Sequence, residues 1–356
     1  MGKAKNIFIL TLILVGFSIN FSFAQEFLWQ FGVHSFFNNN EFAGSSIKNS
    51  QTMAGARFAP QIGFGYDERH RAFIGIDALQ EFGSYKGIDD FAPVAYYQFD
   101  DERFVFYMGA FPRKQAIDNY PRMFFQDSIK NYRPIMNGFF WEFRSPKDDC
   151  FNVWLDWTGR QTAKTREAFF MGWSGRYNRG IFYGIHYGYM FHYAGSMNPV
   201  IPESVIDNGL LLTSIGVSLS ENTNFEKLDL NVGWLVGLER DRGASKKWQN
   251  PNGFISELKV EYRGVGLFNS FYSGNRQQIR YHLHQNSLYW GDPAYRAKTY
   301  NRTDFYINFI RNSAVNVKFI YSLHFLERNM YHEQSLYATF DLDMNSLAIT
   351  PSKVKK

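Results

Sequence analysis

The sequence predicts an all-β fold: a transmembrane antiparallel up-and-down β-barrel of about 16 strands, with short turns at one rim and long loops at the other. Three observations predict it. Stretch after stretch alternates apolar and polar residues with a period of two. The connections between these stretches alternate short and long. Aromatic residues make up 19% of the chain, an excess that membrane barrels use as interfacial girdles.

The alternation is clearest over residues 150–193. Phe151, Val153, Leu155 and Trp157 form one apolar row, against Asn152, Asp156 and Thr158. Phe169, Met171 and Trp173 form the next, against Gly172, Ser174 and Arg176. A third row runs Ile181, Tyr183, Ile185, Tyr187, Tyr189, Phe191 and Tyr193, and it would put Gly184, His186, Gly188 and His192 on the lumen side. The same pattern recurs at Leu228–Leu238 and Val315–Phe325. A soluble sandwich would bury such rows; glycines on the polar face and aromatics toward the row ends fit a lipid exterior and a wet interior better.

At the amino end, Lys3 and Lys5 precede an apolar stretch from Ile7 to Phe17, and Ser22-Phe23-Ala24 is a small-x-small cleavage site. The reading is a cleaved signal peptide over 1–24, export, a barrel over 25–345 and a polar tail over 346–356. Beyond residue 24 no apolar run approaches the ~20 residues of a spanning helix, and mean hydropathy is −0.34. Cys150 is the only cysteine, which excludes an intramolecular disulfide and a multi-cysteine metal site. The net charge of +5 is spread among acids without a basic run, so no nucleic-acid partner is expected.

Candidate strands run in series from 26–37 to 334–344. Short polar links fall at 67–71, 100–103, 145–149, 178–180, 221–226, Arg263-Gly264 and 312–314. Long ones fall at 38–52, 83–90, 112–134, 159–166, 195–208, 240–252, 274–303 and 327–333. An even strand count leaves both barrel ends on the short-turn, periplasmic side.

Alternation, aromatic content, loop rhythm and the amino-terminal segment together resemble a bacterial outer-membrane porin-type barrel over roughly 26–345. The carboxyl end departs from that pattern: Leu336, Ala338, Phe340 and Leu342 suggest the closing strand, but the tail SLAITPSKVKK follows. The resemblance implies residence in a Gram-negative outer membrane. Its implied partners are membrane lipid and lipopolysaccharide, small polar or anionic solutes and the barrel assembly machinery, and a homo-oligomer is left open. It also implies that the third long connection, 112–134, folds into the lumen. That loop carries Arg113, Lys114, Arg122, Lys130 and Arg133 against Asp118 and Asp127, with Phe124-Phe125 to pin it inside. Its bases either pair with lumen carboxylates such as Glu142 and Asp156 and brace the loop, or set a cationic constriction favouring anions.

The lumen phase holds Arg57, Glu142, Arg144, Asp156, Arg176, Lys259 and Lys318, with the three arginines as a candidate ladder. In 274–303, Arg280, Tyr289, Trp290 and Arg296 are either ligand contacts or parts of a structural lid. The histidines fall in pairs without a third ligand, so no metal and no cofactor is expected. The expectation is a non-enzymatic channel for passive diffusion of small hydrophilic solutes, with anion preference. The alternative is a plugged surface-assembly or polysaccharide-binding barrel. HLHQNS at 282–287 offers generic His and Ser only, and an outward-facing Ser–His pair within hydrogen-bond reach would instead mark a lipid hydrolase.

Overall fold

The computed structural model describes residues 25–199, 203–245 and 247–343. The expected signal peptide and polar tail lie outside these residues. Sixteen antiparallel strands close into one barrel. They are β1 (Gln25–Glu41), β2 (Gln51–Tyr66), β3 (His70–Glu81), β4 (Asp90–Asp100), β5 (Phe104–Pro112), β6 (Ile135–Arg144), β7 (Cys150–Gly159) and β8 (Ala168–Arg179). The second half is β9 (Phe182–Tyr193), β10 (Ile206–Ser218), β11 (Lys227–Asp241), β12 (Asn252–Tyr262), β13 (Val265–Gly274), β14 (Thr299–Arg311), β15 (Val315–Leu326) and β16 (Asn329–Asp343). β1 pairs with both β2 and β16, so no strand edge is left open, as a hydrocarbon environment demands. Among the described residues no helix is long and apolar enough to cross a membrane.

Local chemistry sets the turns. Tyr262 faces Val265 across the two-residue corner Arg263-Gly264, both with positive φ (49° and 77°). That is the primed geometry matching strand twist, and a glycine at the second position adopts it without Cβ strain. At the same rim, Tyr66, Tyr97, Tyr177 and Tyr262 are exposed on the outer face, in the position of an aromatic girdle. At the opposite rim the connections are long, with one exception. The sequence suggests a long link at 327–333, but β15 runs to Leu326 and β16 starts at Asn329, so strand pairing absorbs most of it.

The outward rows carry Phe64, Ile74, Met108, Met171, Ile215, Leu230 and Trp234, all exposed. One row runs opposite to expectation. On β9 the tyrosine row points inward: Tyr187 packs on Tyr120, Tyr189 on Phe125 and Phe191 on Phe170, at ring-centroid distances of 5.0, 6.0 and 4.1 Å. His186 and His192 therefore face outward, His186 stacked on Trp173 and His192 tilted against Phe169. The reason is physical: a loop fills this side of the lumen, so the inner wall here needs apolar partners.

Candidate functional site

Two regions gather polar side chains that strand pairing does not require: the lumen and a strip of outer wall near the long-loop rim. In the lumen, segment 113–134 folds inward. Phe124 and Phe125 are buried, and Trp154 Nε1 donates to Tyr120 Oη at 2.8 Å. Segment 275–298 folds in beside it, with Leu288, Tyr289, Trp290 and Tyr295 buried. Trp290 packs on Phe170 at 4.9 Å and Tyr295 on Tyr272 at 5.5 Å. Inward Leu210, Leu212, Leu235 and Ile255 complete one apolar cluster.

A buried charge cluster ties these loops to the wall. Arg302, on β14, lies 2.7 Å from Asp304, 3.4 Å from Glu333 and 3.4 Å from Asp127 of the first loop. It also lies 4.0 Å from Asp292 of the second loop. Arg122 reaches Asp127 at 2.8 Å and Asp304 at 3.0 Å. Lys48, from the β1–β2 connection, reaches Asp292 at 3.5 Å and Glu333 at 3.8 Å. His324 Nε2 sits 3.1 Å from Glu333, and its Nδ1 2.9 Å from Tyr300 Oη. Burial alone would push the Asp127 carboxyl up, yet the guanidiniums of Arg122 and Arg302 hold it below its ordinary range.

The loop bases singled out by sequence mostly have acid partners. Arg113 meets Asp156 at 2.5 Å, Lys114 meets Asp341 at 2.5 Å and Lys130 meets Asp118 at 2.6 Å. Arg133 instead lies 5.7 Å over the Trp290 ring. With Arg113, Lys114, Arg122 and Lys130, the inner face of β15, β16, β1 and β2 lines a basin of about 980 Å³. Arg57 and Lys318 line it too.

The other lumen candidates lie on inward rows outside that basin lining. Glu142 and Arg144 bond each other at 2.8 Å near the short-turn rim. Arg176 stacks on Tyr183 at 4.0 Å, and Lys259 lies 5.6 Å from the Phe268 ring. Arg57, Arg144 and Arg176 sit on β2, β6 and β8 and form no ladder; Arg57 binds Asp77 at 2.5 Å instead. In the second long loop Tyr289 donates to buried Glu239, Arg280 lies 3.7 Å from Glu239, and Arg296 stacks on Tyr281 at 4.0 Å. With buried Trp290, these side chains pack the inward segment 275–298. His282 and His284 fall in a short helix of that loop, with the His284 ring 6.0 Å from Tyr193 of β9. Among the described residues no group of three or more His, Cys, Asp or Glu could hold a metal ion.

The outer strip was not anticipated. Tyr321 Oη and His332 Nδ1 are 2.6 Å apart on the outward rows of β15 and β16. Glu41 of β1 is the register partner of His332, so the two side chains stand side by side on one face. Asn39 donates to Glu41 and to Gln334, each at 2.8 Å, and accepts from Thr52 at 2.8 Å. The available signal was polarity on both phases, in NNNE at 38–41 and HEQS at 332–335. A second outward pair, His186 Nδ1 and Thr213 Oγ1 at 2.8 Å, lies on β9 and β10 without a carboxylate neighbour in register.

The barrel is similar in fold to two solved outer-membrane proteins. A loop-deletion variant of OmpT, an outer membrane protein of Vibrio cholerae, is 8% identical, covers 90% of this chain and 100% of its own, and superposes with a TM-score of 0.54. An anion-selective porin from Comamonas acidovorans is 9% identical, covers 90% and 99%, and gives 0.53. At these identities the likeness is one of architecture. No curated protein matches the chain. The profile of the lipid A 3'-O-deacylase-type family matches residues 19–347. That overturns the expectation of a non-enzymatic protein, because the family is one of enzymes. The expectation rested on the absence of a catalytic motif, and the outer strip supplies acid, imidazole and hydroxyl groups from three separate strands, which no local motif reveals. This chain of sixteen outer-membrane-type strands belongs to the lipid A 3'-O-deacylase-type family.

Proposed function

We propose that the chain removes an acyl chain from a lipid A-type glycolipid of the outer leaflet, working from its outer wall. The observation that carries this reading is the Glu41–His332–Tyr321 strip near the long-loop rim, which sets a carboxylate in register with a hydrogen-bonded imidazole and hydroxyl; the other outward polar groups, His70–Tyr97, His186–Thr213 and Asn269–Asn301–Thr303, have no carboxylate in register. Polar groups facing lipid are expensive, so their clustering needs a function. The long-loop rim is the outer-leaflet side if the short turns are periplasmic, and there the ester bonds of a glycolipid meet the wall.

His332 suits the role of general base. Tyr321 occupies its Nδ1, and Nε2 has no partner among the described residues, leaving it to take a proton from an attacking water. Glu41 beside it stabilises the imidazolium that forms, and Asn39 keeps that carboxylate in place. Atoms balance as in any ester hydrolysis: water adds to the carbonyl, the acyl–oxygen bond breaks, and the sugar oxygen leaves with the proton. The test is release of fatty acid from lipopolysaccharide in mixed micelles by the refolded chain. The native protein releases it and Glu41→Gln does so at least tenfold more slowly; no release by folded native protein overturns the reading.

A second reading has its own observation: the basin of about 980 Å³ beside the inward loop. It favours diffusion of small hydrophilic solutes through the lumen with anion preference, provided a path passes the aromatic packing at the long-loop end. Planar-bilayer conductance tests it. Arg113→Glu with Arg122→Glu moves the reversal potential toward cations, and an unmoved potential removes this loop from the filter.

A further inference from the structure

We propose that the lumen basin is a binding site for a small hydroxylated carboxylate, held by its charged end at Lys318. This does not rest on the outer-wall reading.

The argument is one of compensation. The other basin cations each have an acid: Arg57 has Asp77 at 2.5 Å, Arg113 has Asp156 at 2.5 Å, Lys114 has Asp341 at 2.5 Å, Lys130 has Asp118 at 2.6 Å and Arg122 has Asp127 at 2.8 Å. Lys318 has no carboxylate within ion-pair reach among the described residues; its ammonium lies 4.0 Å over the Tyr306 ring. The acids that act on it from farther off are engaged elsewhere. Asp304 is held by Arg302 and Arg122, and Glu261 by Lys227 at 2.9 Å, by Arg311 and by the Tyr306 hydroxyl at 2.7 Å. Lys318 is thus a basin lysine without a carboxylate at ion-pair distance among the described residues, and a solute anion is drawn to it.

An acceptor beside it specifies the rest of the ligand. Asn316 Oδ1, two residues along the same inward row of β15 and lining the same basin, is buried and has no hydrogen-bond donor. A buried acceptor left without a donor is costly, so a ligand that brings hydroxyl groups binds more tightly than a bare anion. A single uncompensated ammonium suits a single negative charge better than a dianion. A basin of about 980 Å³ admits a six-carbon acid with room for water.

The experiment is calorimetric titration of the refolded full chain with four probes: gluconate, acetate, sorbitol and inorganic phosphate. Gluconate binds at least tenfold more tightly than each of the other three. Lys318→Gln lowers gluconate affinity to the sorbitol level, Lys318→Arg retains it, and Lys259→Gln, a lumen lysine outside the basin lining, leaves it unchanged. Gluconate binding no tighter than sorbitol overturns the proposal on the native protein alone, whether or not a variant folds. Native-like gluconate affinity in a folded Lys318→Gln protein also overturns it. If phosphate outbinds gluconate, the hydroxyl-bearing carboxylate is the wrong class and the proposal fails.

Discussion

The inner and outer faces of this barrel use polar residues in opposite ways. Inside, charge is plentiful and almost all of it is matched: Arg302 alone stands within ion-pair distance of Asp127, Asp292, Asp304 and Glu333. Outside, polar side chains form small separate groups, such as His70–Tyr97, His186–Thr213 and Asn269–Asn301–Thr303, and the strip of Glu41, His332 and Tyr321 adds a carboxylate in register to an imidazole and a hydroxyl. A matched interior charge is structural cement, because each partner offsets the desolvation of the other. A polar strip on a lipid-facing wall has no such structural explanation. The difference teaches that charge density is a poor guide to the working site of a barrel, and that polarity out of place is a better one.

The largest expected effect tests the interior. Arg302→Ala leaves four carboxylates short of a cation and should destabilise the fold by about 3–5 kcal/mol, read as a lower urea midpoint. It should also free both lumen loops, read as protease cleavage within 113–134 and 275–298. If the loops stay protected, apolar packing alone holds them and the contrast drawn above weakens.

Next comes the outer wall itself. Ile215→Arg places a charge on an exposed outward position of β10 and should cost about 2–4 kcal/mol in bilayers. Lys259→Arg, on an inward row, should change stability little. Equal penalties would mean that inside and outside have been assigned the wrong way round.

A smaller effect concerns the loop contacts. Trp154→Phe removes the hydrogen bond to Tyr120 while keeping an aromatic ring, and should destabilise by about 1 kcal/mol. The pH dependence follows from Asp127. Its carboxyl is held below the ordinary range in the folded state, so its contribution is present above the unfolded-state pKa and is lost as pH falls through the folded one. Loop docking, followed by Trp290 fluorescence, should therefore hold from neutral pH through mildly acidic pH and loosen only below the usual carboxylate range. Loosening already at mildly acidic pH would contradict this assignment.

Much of the architecture was legible in the chain. Sixteen strands follow from period-two reading, and the inward fold of the 112–134 loop is what the porin resemblance implies. The reading failed where both phases of a strand satisfy the same pattern. On β9, tyrosines and histidines alternate with glycines, and only the loop packed against Tyr187 and Tyr189 decides which row faces in. The outer strip was illegible for a different reason. Glu41, Tyr321 and His332 come from three strands, and β1 and β16 meet only when the barrel closes. A linear reading cannot bring together residues that closure makes neighbours.

The most direct test is the mass of lipid A from a Gram-negative host expressing the native chain, His332→Ala or His186→Ala. The account predicts lipid A lighter by one acyl chain with the native protein and with His186→Ala, and unaltered lipid A with His332→Ala. Unaltered lipid A in cells holding folded native barrel, or equal shortening by the His332 variant, would contradict it.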